Sequence, residues 1–289
     1  MFERALIATD LGEPAEQFIR CKQGLRHLGV QEIVLGFCMP LHEVRDVRAN
    51  IQDILKPELA RRRDALERQG YSVTVELVLG EPSIEVNRLA DAKDCDLVVV
   101  GSRVHSLAGE VVLGGVAGEV LHSCRKPLLV ARIPEEAPEA QVCPLASLNR
   151  VLFATDFSEN ADHAFEAVVE LVSERRTSVV LMHVQDRTTI DRHLKDRLEK
   201  FNAIDQERLE RLKDHLLSKG AKDVQVELPF GLPTEEILRC TRQGDVSLVV
   251  MGSQGRGFFS EILLGSVSHN IARHAFVPTL LVPALPQSR

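Results

Sequence analysis

Five short apolar runs occur twice along this 289-residue chain, in the same order each time. "RALIATDL" (4–11) returns as "RVLFATDF" (150–157), and "EIVLGFC" (32–38) returns as "SVVLMHV" (178–184), both displaced by 146 residues. "LVLGEPSIEV" (77–86), "CDLVVVGS" (95–102) and "KPLLVAR" (126–132) return as "LPFGLPTEEI" (228–237), "VSLVVMGS" (246–253) and "VPTLLVP" (277–283), now displaced by 151. The offset therefore grows by 5 between the second and third runs, which marks a short insertion in the second copy. A repeat of this size means two copies of one folding unit. The stretch "IPEEAPEAQVCPLASLN" (133–149) is rich in Pro, Ala and Glu and has no periodicity, so it reads as the linker. The expected domains are residues 1–133 and 147–289.

Within each copy, apolar runs alternate with amphipathic segments. In the second copy, Val151–Thr155, Ser178–His183, Val224–Leu228, Leu248–Met251 and Thr279–Val282 read as strands. Residues 161–174 space Ala164, Phe165, Val168, Val169 and Val172 as a helix does. Residues 190–219 read as a long charged helix with Leu194, Leu198, Phe201, Leu209, Leu212 and Leu216 on its apolar side. Helices are also expected over 234–242 and 266–275. Uninterrupted apolar strands separated by helices imply a parallel sheet covered on both faces. The expected fold class is α/β: two tandem five-stranded parallel-sheet domains of Rossmann-like type. Such sheets bind ligands beyond the C-terminal ends of their strands, where strand order reverses. Asp156, Val184 and Gly252 stand at such ends.

The fourth strand of the second copy runs into "GSQGRGFFSEILLGSVSHN" (252–270). It is not a P-loop, because no Gly-Lys-Ser or Gly-Lys-Thr occurs. It is a poor dinucleotide fingerprint, because Ser260 stands where the third glycine belongs. Its pattern is Gly252-x2-Gly255-x9-Gly265-Ser266. Gly252 lets the chain turn, and Gly255 lets backbone amides approach an anion or adopt a positive φ. Gly265 and Ser266 open a helix whose free N–H groups and dipole attract phosphate, and Arg256 adds positive charge.

The segments "GSQGRGFFSEILLGSVSHNIARHAFVPTLLV" and "RVLFATDFSENADHAFEAVVEL" resemble the C-terminal and N-terminal signatures of universal stress proteins. The resemblance covers nearly the whole chain as two tandem copies. It implies a nucleotide-binding α/β fold in a family that binds adenine nucleotides, some members excepted. It places Asp156 at the adenine or ribose and Val184 against the adenine. It gives the phosphates to Gly252, Gly255, Gly265 and Ser266, with Ser253, Arg256 and Val267 lining them. The implied ligand is ATP with Mg2+. Taken alone, Asp156 also reads as a helix N-cap, and Val184 as core packing. His183 reads as a satisfied structural histidine rather than a base. The last strand of each copy resembles the family's dimer-forming element, which implies a pseudo-dimer of the two halves and a homodimer of chains.

The first copy departs from the pattern in "GSRVHSLAGEVVLGGVAGE" (101–119). Gly101, Gly114 and Asp10 remain, but Val104 replaces the middle glycine, Gly115 the serine, and Cys38 the valine. A β-branched residue resists positive φ and crowds a phosphate. The first domain is therefore expected to bind ATP weakly or not at all, and to act as a fixed partner or hold another ligand.

Composition narrows the function classes. A formal net charge of -7 argues against a nucleic-acid or anionic-membrane surface. No apolar run nears the roughly 18 residues a spanning helix needs, and "MFERALIATDLG" lacks the layout of a signal peptide. The six cysteines form no C-x-x-C pair and the ten histidines no H-E-x-x-H, so thiols in a reducing cytoplasm are expected. The leading reading is an ATP-binding stress protein acting as a nucleotide-sensitive switch or scaffold, with unidentified protein partners. The alternatives are a slow ATPase or phosphotransferase, or an interaction module that binds no nucleotide.

Overall fold

The computed structural model describes residues 1–9, 24–39, 51–105, 110–134, 145, 148–188, 198–243, 245–255 and 264–284. Asp10, Arg256 and residues 189–197 lie outside them. The chain forms two compact units, Met1–Ser147 and Leu148–Arg289.

The first unit contains β1 (Arg4–Thr9), β2 (Glu32–Met39), α1 (Ile51–Glu67), β3 (Ser72–Leu79), α2 (Pro82–Ala92), β4 (Leu97–His105), β5 (Glu110–Leu113), α3 (Gly115–Ser123) and β6 (Leu128–Pro134). Five strands are parallel in the order β3-β2-β1-β4-β6. A short 3-10 turn, Leu25–Leu28, precedes β2 and ends at Gly29, whose φ of 92° suits only glycine without strain.

The second unit contains β7 (Arg150–Ala154), α4 (Glu159–Glu174), β8 (Ser178–Met182), β9 (Gln185–Asp186), α5 (Leu198–Ser218), β10 (Asp223–Glu227), β11 (Phe230–Gly231), α6 (Pro233–Gln243), β12 (Leu248–Gly252), α7 (Ser266–His274) and β13 (Thr279–Val282). Its parallel order is β10-β8-β7-β12-β13, the same arrangement again. The chain leaves β7 toward β8 and β10, then crosses back to β12 on the other side. The C-terminal ends of β7 and β12 therefore flank the switch point where such sheets bind ligands.

The core follows from the apolar runs. Val151, Leu152, Phe153, Leu248, Val249 and Val250 have no exposed surface, and each such side chain gains about 1.5–3 kcal/mol from burial. α4 buries Ala164, Phe165, Val168, Val169 and Val172 as its spacing predicts. α5 buries Leu209 and Leu216. Leu194 lies outside the described residues.

Two features depart from the sequence expectation. In the first unit a sixth strand, β5, pairs antiparallel with the end of β4. In the second unit the expected strand 178–183 stops at Met182, and a separate two-residue ladder joins β9 to β11. Pro229 explains the break. His183 N donates to Glu227 O and Gln185 N to Pro229 O, so the register asks residue 229 to donate back to His183 O. Proline has no N–H to give. The first copy has Val78 at this place, and its β2–β3 ladder runs unbroken to Met39 and Leu79.

No helix among the described residues is long and apolar enough to cross a membrane.

Candidate functional site

The turn after β7 is built by its own side chains. Thr155 Oγ1 accepts from Phe157 N at 2.9 Å, and Asp156 Oδ1 accepts from Ser158 N at 3.1 Å and Ser158 Oγ at 2.6 Å. Ser158 Oγ in turn accepts from Ala161 N, so Ser158 is the N-cap of α4 and Asp156 is not. Phe157 sits at φ 58°, a costly conformation for a bulky residue. Its ring lies 4.5 Å from the His183 ring, and the Arg208 guanidinium stacks on it at 4.7 Å.

The loop after β12 turns its carbonyls inward. Gly252 O accepts from Ser268 Oγ, Ser253 O from Gly265 N, and Gln254 O from Asn160 Nδ2. The amides of Gly255, Ser266 and Val267 make no hydrogen bond among the described residues. Two of them open α7, whose N-cap is Gly265. Free amides at a helix start form an anion-binding concavity.

Gly252 and Gly255 are short of space for a side chain. None of Gly252, Gly255 and Gly265 has a positive φ, which removes the positive-φ alternative for Gly255. A Cβ on Gly255 would stand 2.8 Å from Asp156 Oδ2, and one on Gly252 would stand 3.2 Å from the Asn160 backbone.

Between these elements lies a cavity of about 730 Å³. Asp156, Val184, Gly252, Gly255, Gly265, Ser266 and Val267 all line it. Ser253 lies beneath the loop, with its N–H bound to Val282 O. Arg256 is outside the described residues. Met182, Val184, Ile204, Pro233 and Ile237 add apolar lining. His183 Nδ1 donates to Thr155 O at 2.8 Å, which ties β8 to the β7 turn.

Sequence reasoning missed Gln185, Asp205, Arg208 and Ile204, which also line the cavity. On a charged amphipathic helix, Asp205 and Arg208 look like ordinary solvated positions. Their only signal is that they precede the buried Leu209 by four residues and by one.

The equivalent region of the first unit is built differently. Val104 pairs with Val111 and His105 with Glu110, so the backbone there belongs to a hairpin. Gly114 still caps α3. Burial pushes the Cys38 thiol up to about 12. Arg132 is buried at the end of β6 and donates to Ser102 Oγ. Desolvation pulls its guanidinium below the usual arginine range.

The universal stress protein family model matches residues 1–132 and again 147–283. This chain belongs to the universal stress protein family. Universal stress protein MJ0577 of Methanocaldococcus jannaschii is 31% identical over 152 residues, covering 46% of this chain and 93% of that one. A universal stress protein of Mycolicibacterium smegmatis is 28% identical over 220 residues, covering 73% of this chain and 70% of that one. The crystal structure of a universal stress protein from Archaeoglobus fulgidus covers 96% of this chain and 97% of its own, with a TM-score of 0.76 at 23% identity. That likeness shows the tandem universal stress fold.

Proposed function

We propose that the second unit binds an adenine nucleotide, ATP, in the cavity between β7, β12 and α5, and that the protein acts in the cytoplasm as a nucleotide-sensitive switch or scaffold in a stress response. The observation that carries this reading is the convergence on one cavity of three amides without a hydrogen bond among the described residues, Gly255, Ser266 and Val267, with the Asp156 carboxylate and apolar lining that includes Val184. The amides suit phosphate oxygens. The apolar lining suits an aromatic base. An acidic chain holds a polyanion here because backbone dipoles, not net charge, face it.

Among the described residues no group of three or more His, Cys, Asp or Glu side chains could hold a metal ion. Asp156 is the carboxylate beside the glycine loop, so Mg2+ would be held chiefly by the phosphates and water, as is usual for this ion. The first unit, with its loop in a hairpin, serves as a partner domain or takes a different ligand. Self-association through the terminal strands belongs to the same reading and is measured by sedimentation velocity.

Thermal unfolding with MgATP tests the proposal. A ligand at 100 times its dissociation constant stabilises by about 2.7 kcal/mol. Gly255→Val should abolish that gain. An unmoved wild-type transition overturns the reading. Steady phosphate release above background would favour a slow ATPase or phosphotransferase instead.

A further inference from the structure

Asp205 lines the cavity from α5, remote from the glycine loop in sequence and on a different element. Its Oδ2 accepts from Gln185 Nε2 at 3.2 Å and lies 3.6 Å from His183 Nε2. Its Oδ1 has no partner among the described residues. Gln185 is buried and fixes the carboxylate from beneath. Arg208, nearly one turn further along α5, is fixed over Phe157. The helix is therefore pinned at two points, and Asp205 offers one fixed, acceptor-only oxygen.

The backbone of Val184 supplies the neighbouring groups. His183 N and Gln185 N both point toward the β10 side, to Glu227 O and Pro229 O. Strand geometry turns the intervening residue the other way. Val184 N–H and C=O make no hydrogen bond among the described residues, and Val184 lines the cavity. With Asp205 held to Gln185 and beside His183, the residues flanking Val184, the lining here presents two acceptors, Asp205 Oδ1 and Val184 O, with one donor, Val184 N–H.

Resting on the nucleotide reading above, we infer that Asp205 is a specificity-determining residue that selects a base carrying an amino group beside a ring-nitrogen acceptor. A 6-aminopurine edge offers two N–H donors next to an unprotonated ring nitrogen, which complements this set. A 6-oxopurine edge places a carbonyl oxygen against the carboxylate and a ring N–H against the Val184 amide. Both mismatches leave polar groups unpaired in a partly desolvated site.

Calorimetric titration of the full chain with MgATP and with MgITP tests this, because the two differ only at the purine 6-position edge. Wild type should prefer ATP by on the order of tenfold or more. Asp205→Asn, which exchanges an acceptor for a donor, should cut that preference at least severalfold, with Asp205→Ala between the two. Thermal unfolding without ligand checks that both variants fold. Equal binding of ATP and ITP by wild type overturns the inference alone. So does a preference unchanged in both variants. Failure of wild type to bind either nucleotide overturns the proposed function as well.

Discussion

The Oδ2 atom of Asp156 stands 2.8 Å from the point a Cβ on Gly255 would occupy. The glycine after β12 and the carboxylate after β7 therefore exclude each other's growth. Gly255→Ala should destabilise the second unit by about 1–3 kcal/mol through overpacking. Asp156→Ala in that background should recover part of the loss. The double-mutant cycle, read by thermal or urea unfolding, should show a coupling of about 0.5 kcal/mol or more. Strict additivity would show that the carboxylate moves aside freely.

Ser158 caps α4 while holding Asp156 Oδ1. Ser158→Ala should cost about 0.5–2 kcal/mol of stability. It should also reduce MgATP-dependent stabilisation by more than Ser173→Ala does. Ser173 donates its hydroxyl to Val169 O in the last turn of the same helix, at the end opposite Asp156. Comparing the thermal shifts of the two variants with and without ligand separates loss of the cap from loss of Asp156 positioning.

Val104→Gly should not give the first unit a nucleotide site. The residue belongs to a β4–β5 ladder of four paired positions, from Ser102↔Leu113 to His105↔Glu110. Removing one Cβ weakens the hairpin without releasing its amides. In a Gly255→Val background, Val104→Gly should leave the MgATP-dependent shift at zero. Recovery of a shift would show that the hairpin opens readily.

Cys38 should stay unreactive in the native protein. Its thiol is pushed up to about 12 by burial, from an ordinary value near 9. The unfolded chain then releases this proton first, so the thiol's contribution to stability is full below about pH 9 and is lost progressively from pH 9 to 12. Cys38→Val should flatten that part of the stability profile. Peptide mapping after iodoacetamide treatment at pH 8 should find Cys38 modified only as fast as the unit opens.

How far the sequence reveals this molecule depends on which forces act locally. The strands and their doubling are legible because buried parallel strands must be apolar throughout, as in Val151–Ala154 and Leu248–Met251. Asp156, Val184 and the glycine loop are legible because topology places them at strand ends. The basis of Gly255 is not: conformational freedom and lack of space leave the same letter, and only the nearby Asp156 decides between them. Asp205 and Arg208 are hidden because a cavity-facing charge and a solvated charge look alike on an amphipathic helix. The broken ladder at Val184 is readable only in retrospect, from a proline at 229 where the first copy has Val78. The β5 hairpin is hidden for a related reason. Val104 marks the loss of a glycine, but not the new pairing that replaces it.

That pairing sets how the chain responds to concentration. On the proposed nucleotide reading, one copy's loop folded into a ladder leaves each chain a single nucleotide site. A lone chain would then fill along a plain hyperbola, reporting a graded nucleotide level rather than a threshold.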